Sequence, residues 1–91
     1  MNENLERARK LHGIIGDVLL MEWDPIGVQD IPEAQDEYDS YVPAVYKLLA
    51  SGKSEHELFD YLWWIETEHM GLTGDKQQTL AIARRLHNLY G

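Results

Sequence analysis

The sequence predicts an all-α fold, a compact bundle of four helices with a loop around residues 23–32. Three observations carry that expectation. Apolar residues recur at spacings of three and four in four separate stretches, as helices with one buried stripe require. Proline or glycine interrupts the pattern between stretches. One stretch opens on a capping signature that belongs to helix starts.

The first helix runs from about residue 3 to residue 22, with Leu5, Ala8, Leu11, Ile15, Val18 and Leu19 as its stripe. Gly13 and Gly16 interrupt it, each costing about 1 kcal/mol relative to alanine in a helix interior, and their expected compensation is the close crossing of a neighbour. The periodicity ends at Trp23-Asp24-Pro25, because proline biases the residue before it away from helical angles, and Gly27 supplies a turn conformation. Pro32 opens a short turn after this loop.

In the second helix Tyr38, Tyr41, Val42, Val45, Leu48 and Leu49 form the pattern. Either it begins near Asp39 or Ser40, with Pro43 in a first turn whose missing N–H has no intrahelical partner, or it begins near Glu33 and is kinked at Pro43; the residues leave both open. Gly52 ends it. Ser54-Glu55-His56-Glu57 is the capping box of the third helix, whose face carries Leu58, Phe59, Leu62, Trp63 and Ile65 and which closes at Met70-Gly71. Thr73 or Asp75 caps the fourth, where Leu80, Ala83, Leu86 and Tyr90 repeat. Short connections make antiparallel neighbours of the last two helices.

At 91 residues the chain reads as a single helical domain, 1–91. A chain of this size buries only about 60–65% of the surface its unfolded form exposes, so the large apolar residues must mostly serve one small core. There is no cysteine. That excludes disulfides, thiolate metal sites and cysteine nucleophiles, and a reducing cytoplasm is the expected location. The polar start has no signal-peptide character and no apolar run is long enough to cross a bilayer, so neither secretion nor membrane insertion is expected.

Sixteen acidic against eight basic side chains give a formal charge of -8, which repels phosphates and anionic lipid. Direct nucleic-acid or membrane partners are therefore not expected. The charge is concentrated: between Lys10 and Lys47 there is no Lys or Arg, while Asp17, Glu22, Asp24, Asp30, Glu33, Asp36, Glu37 and Asp39 all occur. Such a run either serves solubility as a solvated surface or docks something basic.

Chemistry-bearing patterns are sparse. Glu66-Thr67-Glu68-His69 has the Glu-x-x-His spacing that puts a carboxylate and an imidazole on one helix face in di-iron bundles. Those sites use the motif twice. Here His12, His56 and His87 follow Arg9, Lys53 and Arg84 at that spacing, so no second copy exists. A histidine near a helix C-terminus is explained as well by the helix dipole. Glu66 and Glu68 offer paired carboxylates but no sign of shifted pKa values, and Asp24, Asp30, Asp36 and Asp39 lack the spacing of a calcium loop. Zinc-protease, phosphate-loop and nucleophile-elbow patterns are absent. No catalytic residue, metal ligand or cofactor is assigned.

Aromatic residues are plentiful, with three Trp and five Tyr. Successive Trp63 and Trp64 cannot both face one core: either a wide helix face buries both at its edges, or one sits at the surface, where such side chains anchor partners. Tyr38 and Tyr41 stand amid acids. Asp36, Glu37, Tyr38, Asp39 and Tyr41 are accordingly the candidate partner-binding face.

Three segments, Trp23-Asp24-Pro25-Ile26-Gly27, Asp36-Glu37-Tyr38-Asp39-Ser40-Tyr41 and Ile65-Glu66-Thr67-Glu68-His69-Met70-Gly71, together resemble a family of short bacterial proteins of unknown function, similar to small helical proteins of bacilli. The resemblance covers roughly residues 15–72 and implies a helical fold without an activity. If Trp23 packs beneath the third helix, with Asp24 turning its segment and Glu66 and Glu68 holding the loop through backbone N–H groups, the motifs describe how the loop is pinned. By analogy of size and charge, short acidic proteins also include immunity partners of bacterial toxins. The leading functional expectation is a non-enzymatic module that binds a basic protein, with toxin neutralisation its most concrete form. The alternative is a metal-binding protein or metal-dependent enzyme centred on Glu66 and His69, and a homo-oligomer that buries the aromatic surplus is a third reading.

Overall fold

The computed structural model describes residues 2–90, with side chains from residue 5 onward, and forms an all-α bundle of four helices. Helix α1, Asn2–Val18, widens at its end into a π turn, Leu19–Trp23, closed by the Asp24 N–H on the Leu19 carbonyl at 2.9 Å. Short 3-10 turns at Pro32–Ala34 and Asp39–Tyr41 lead into α2, Val42–Ala50. Pro43 lies in the first turn of α2, so it starts the helix instead of kinking it. Helix α3, Glu55–Trp64, begins with Ser54 accepting the Glu57 N–H at 3.2 Å while Glu57 accepts the Ser54 N–H at 2.9 Å, the expected reciprocal box. It too ends in a π turn, Ile65–His69, closed by the Met70 N–H on the Ile65 carbonyl, before Gly71 turns the chain at φ 70°. Helix α4, Lys76–Tyr90, starts where Asp75 accepts the Gln78 N–H at 3.1 Å.

α3 packs most broadly on α4, and α1 lies across α2 and α4. Ile15, Val18, Leu19, Val45, Leu49, Leu58, Leu62, Ile65 and Leu86 are buried in one core, each stabilising the fold by about 1.5–3 kcal/mol. No helix among the described residues is long and apolar enough to cross a membrane.

The stripes differ from their expected form at both ends. Leu5 is 54% exposed, and Leu80 is 37% exposed because α4 turns Thr79 and Ile82 inward instead. Nor do the helix glycines mark a close crossing: a Cβ on Gly13 would meet nothing within 4 Å, and one on Gly16 would make an ordinary 3.7 Å contact with Val42.

Close approach occurs elsewhere, at Gly74. There a Cβ would stand 2.9 Å from the Trp63 ring, and φ is 82°; Gly27, at φ 69°, has open space. Gly27→Ala is therefore expected to cost only the left-handed penalty of about 1–2 kcal/mol, and Gly74→Ala that plus about 1–3 kcal/mol of overpacking. Urea midpoints of the two variants compare them directly; equal losses would mean that Trp63 does not rest on Gly74.

Candidate functional site

The acidic segment is held by a buried polar knot, and the knot begins with Glu66. This side chain is only 4% exposed, and its carboxylate accepts three hydrogen bonds: from the Trp23 indole N–H at 3.1 Å, the Thr79 hydroxyl at 2.5 Å and the Asp75 backbone N–H at 2.8 Å. A buried carboxylate is tolerated only when its lone pairs are met in this way. One donor ends α1 and two belong to the start of α4, where the helix dipole also favours a negative charge. Gln78 donates to the Glu22 and Trp23 carbonyls at 3.1 and 3.2 Å, meeting acceptors left open where α1 ends.

From Trp23 the knot extends outward. The indole packs against the Tyr38 ring, with centroids 5.8 Å apart, and the Tyr38 hydroxyl donates to Asp24 at 2.7 Å while accepting the Ile26 N–H at 3.2 Å. Asp24 has left-handed backbone angles, φ 35° and ψ 59°, which cost a non-glycine residue about 1–2 kcal/mol. Its carboxylate offsets this by also accepting the Val28 and Gln29 N–H groups at 2.8 and 3.1 Å. Burial pushes the Asp24 carboxyl up, but the hydrogen bonds from Tyr38, Val28 and Gln29 together hold it below its ordinary range. Burial first, and then the bond to Asp24, raise the Tyr38 phenol.

Successive backbone bonds, Ala34 N–H to Ile31 O, Glu37 to Ala34, Asp39 to Asp36 and Tyr41 to Tyr38, turn the segment tightly between Tyr38 and the loop. Asp36, Glu37 and Asp39 are exposed on it. Tyr38 is not: at 1% exposure it leaves the expected contact face and becomes the pin beneath it. Tyr41 is half-buried, its phenol raised by burial and by nearby Glu37. It stands edge-on to His69 with centroids 6.1 Å apart, and His69 stacks on Trp64 at 5.7 Å. Of the paired indoles, Trp64 is the outer one, 52% exposed, whereas Trp63 stacks on Phe59. Of the candidate face, Asp36, Glu37 and Asp39 are exposed and Tyr41 is half-buried, and through Tyr41 it adjoins His69 and Trp64, which the candidate face did not include. Their trace in the sequence was the Trp63-Trp64 pair.

The Glu-x-x-His spacing does not bring a ligand pair together. Within the wider π turn three residues no longer return to the same face: Glu66 points inward onto its donors, and His69 lies exposed against Trp64. Glu68 is exposed, so it is no partner for buried Glu66. Among the described residues no three His, Asp or Glu side chains are grouped to hold a metal. No family model, curated protein or solved structure matches the chain.

Glu66→Gln should cost about 2–3 kcal/mol, since its amide turns an N–H2 toward one of the three donors and leaves it unmet; thermal melts with the Trp23→Phe variant alongside test this, and a neutral Glu66→Gln would remove the carboxylate from the centre of the knot. The pH response has two limbs. Tyr38 holds its proton more tightly when folded, so its contribution is whole below the ordinary phenol range and is lost as pH rises through about 10 and beyond. Asp24, held low, contributes above the ordinary carboxylate range and loses that contribution as pH falls below about 4. Tyr38→Phe should lower stability at neutral pH by about 1–3 kcal/mol and flatten the alkaline decline in urea midpoints; an unchanged alkaline slope would show that Tyr38 does not govern it.

Proposed function

We propose that this protein is a non-enzymatic binding module that docks a basic protein on the acidic segment around residues 30–41. The observation that carries this reading is the presentation of Asp36, Glu37 and Asp39 on a tightly turned segment whose Tyr41 stands edge-on to His69, itself stacked on the exposed Trp64. Among the described residues none of these three acids has a cationic partner within 4.0 Å; the ion pairs are His56–Asp60, Arg84–Glu55 and Arg85–Glu22. Unpaired carboxylates on a preordered backbone steer a cationic surface and lose little entropy when it arrives. An exposed indole in contact with a second ring is the kind of side chain that concentrates binding energy and accepts a cation over its face.

The partner class is a protein with a cationic site, and neutralisation of a basic toxin is the most concrete form of the proposal. Covering a nucleic-acid-binding surface requires the opposite charge in a compact patch, which a net charge of -8 concentrated before α2 supplies. The likeness to short helical proteins of bacilli rests mainly on the residues of the knot, so it adds no activity to this reading.

The test is affinity capture from source lysate with the wild type, Asp36→Asn/Glu37→Gln and Trp64→Ala, at low and moderate salt, with circular dichroism as the folding control. A basic protein held by the wild type should bind about tenfold or more weakly to either variant. Equal capture by folded variants, or capture indifferent to salt, would sink the docking face.

A further inference from the structure

Gly13 and Gly16 weaken α1 relative to alanine, yet no packing asks for them. A Cβ on Gly13 is free of any atom within 4 Å, and one on Gly16 would lie at ordinary distances, 3.7 Å from Val42 and 3.9 Å from the Asp39 carboxylate. Both glycines line a groove of about 410 Å³ between α1 and the start of α2, with His12 and Gln35 at its polar edge. Leu20, Val42 and Pro43 supply apolar lining, while Asp17 from α1 and Asp39 from the turn before α2 bring carboxylates to it from two separate elements. Neither acid is ion-paired among the described residues. Apolar surface flanked by two carboxylates without ion partners is the complement of a long cationic side chain, whose methylene stem seeks apolar surface while its charged end seeks acids.

We infer that this groove receives a lysine or arginine side chain of the basic partner, and that Gly13 and Gly16 determine specificity by keeping it open. The inference rests on the docking function proposed above and names where the partner inserts. It also accounts for the helix glycines, which the packing of α1 leaves unexplained. Stability is given up along α1 for a space that only a ligand fills.

Gly13→Ala/Gly16→Ala provides the test, because it alters no charge: long-range attraction stays, two methyl groups intrude on the groove lining, and the helix gains propensity. The probes are hexalysine and hexaarginine peptides, with hexaglutamine as the uncharged control, titrated into the 15N-labelled chain. In the wild type the largest amide shifts should fall at Gly13, Gly16 and Val42. The double-alanine variant should melt at a higher temperature and bind the cationic peptides about tenfold more weakly, a loss of 1.4 kcal/mol. Asp17→Asn, which keeps the groove's shape, should weaken them in the same direction.

Undiminished binding by both groove variants, or wild-type shifts confined to residues 30–37, overturns the groove. If Asp36→Asn/Glu37→Gln then still loses the peptides, the docking face stands without it. If that variant too binds as the wild type does, both readings fall together.

Discussion

A buried carboxylate has to be met by donors, and the three that meet Glu66 come from the end of one helix and the start of another. That constraint orders much of the rest. To deliver the Trp23 indole, α1 widens over its last five residues; to carry Glu66 and then turn back toward α4, α3 does the same. Gly74 is required because the Trp63 ring and the carboxylate fill the space where a side chain would stand. Removing the charge in favour of an apolar residue is often neutral in principle, but here three polar groups on other elements would lose their acceptor together. The charge therefore specifies which helix ends meet more than it adds to stability.

The same knot joins the segments around Trp23, Tyr38 and Glu66. Trp23 meets Glu66, Asp24 meets Tyr38, and the Trp23 and Tyr38 rings touch. One residue set far apart in sequence thus ties the end of α1, the loop and the end of α3. The acidic surface is a by-product of this arrangement: with Tyr38 drawn inward, its neighbours Glu37 and Asp39 are turned to solvent. Function, on the reading proposed, sits on side chains that the knot positions and not on the knot itself.

Much of the fold was legible because its signals are local. Helical spacing, the Ser54 capping box and the glycine at residue 71 act within a few residues of themselves, and the helices follow them. The pinning of the loop was also foreseeable from Trp23, Asp24 and Glu66, although Glu66 engages the indole and the α4 start in place of loop backbone groups. What was not legible depends on long-range geometry. Tyr38 looked like an exposed anchor because acids surround it in sequence, but its partner Asp24 lies fourteen residues away. Glu66 and His69 looked like one face because the spacing presumes an ordinary α-helix, and the π turn separates them. The exposure of Leu5 and Leu80 depends on how each helix meets its neighbours, which no helix's own pattern records.

The three indoles end in three different surroundings. Trp23 is 2% exposed with its N–H on a carboxylate, Trp63 is stacked on Phe59 over a glycine, and Trp64 is open to water beside His69. The molecule therefore carries its own optical reporters. Emission from Trp23 and Trp63 follows the integrity of the bundle, whereas quenching at Trp64 follows what arrives at the surface. With Trp64 replaced by phenylalanine the remaining signal reads folding alone, and the difference between the two proteins reads occupancy of the face without any attached dye.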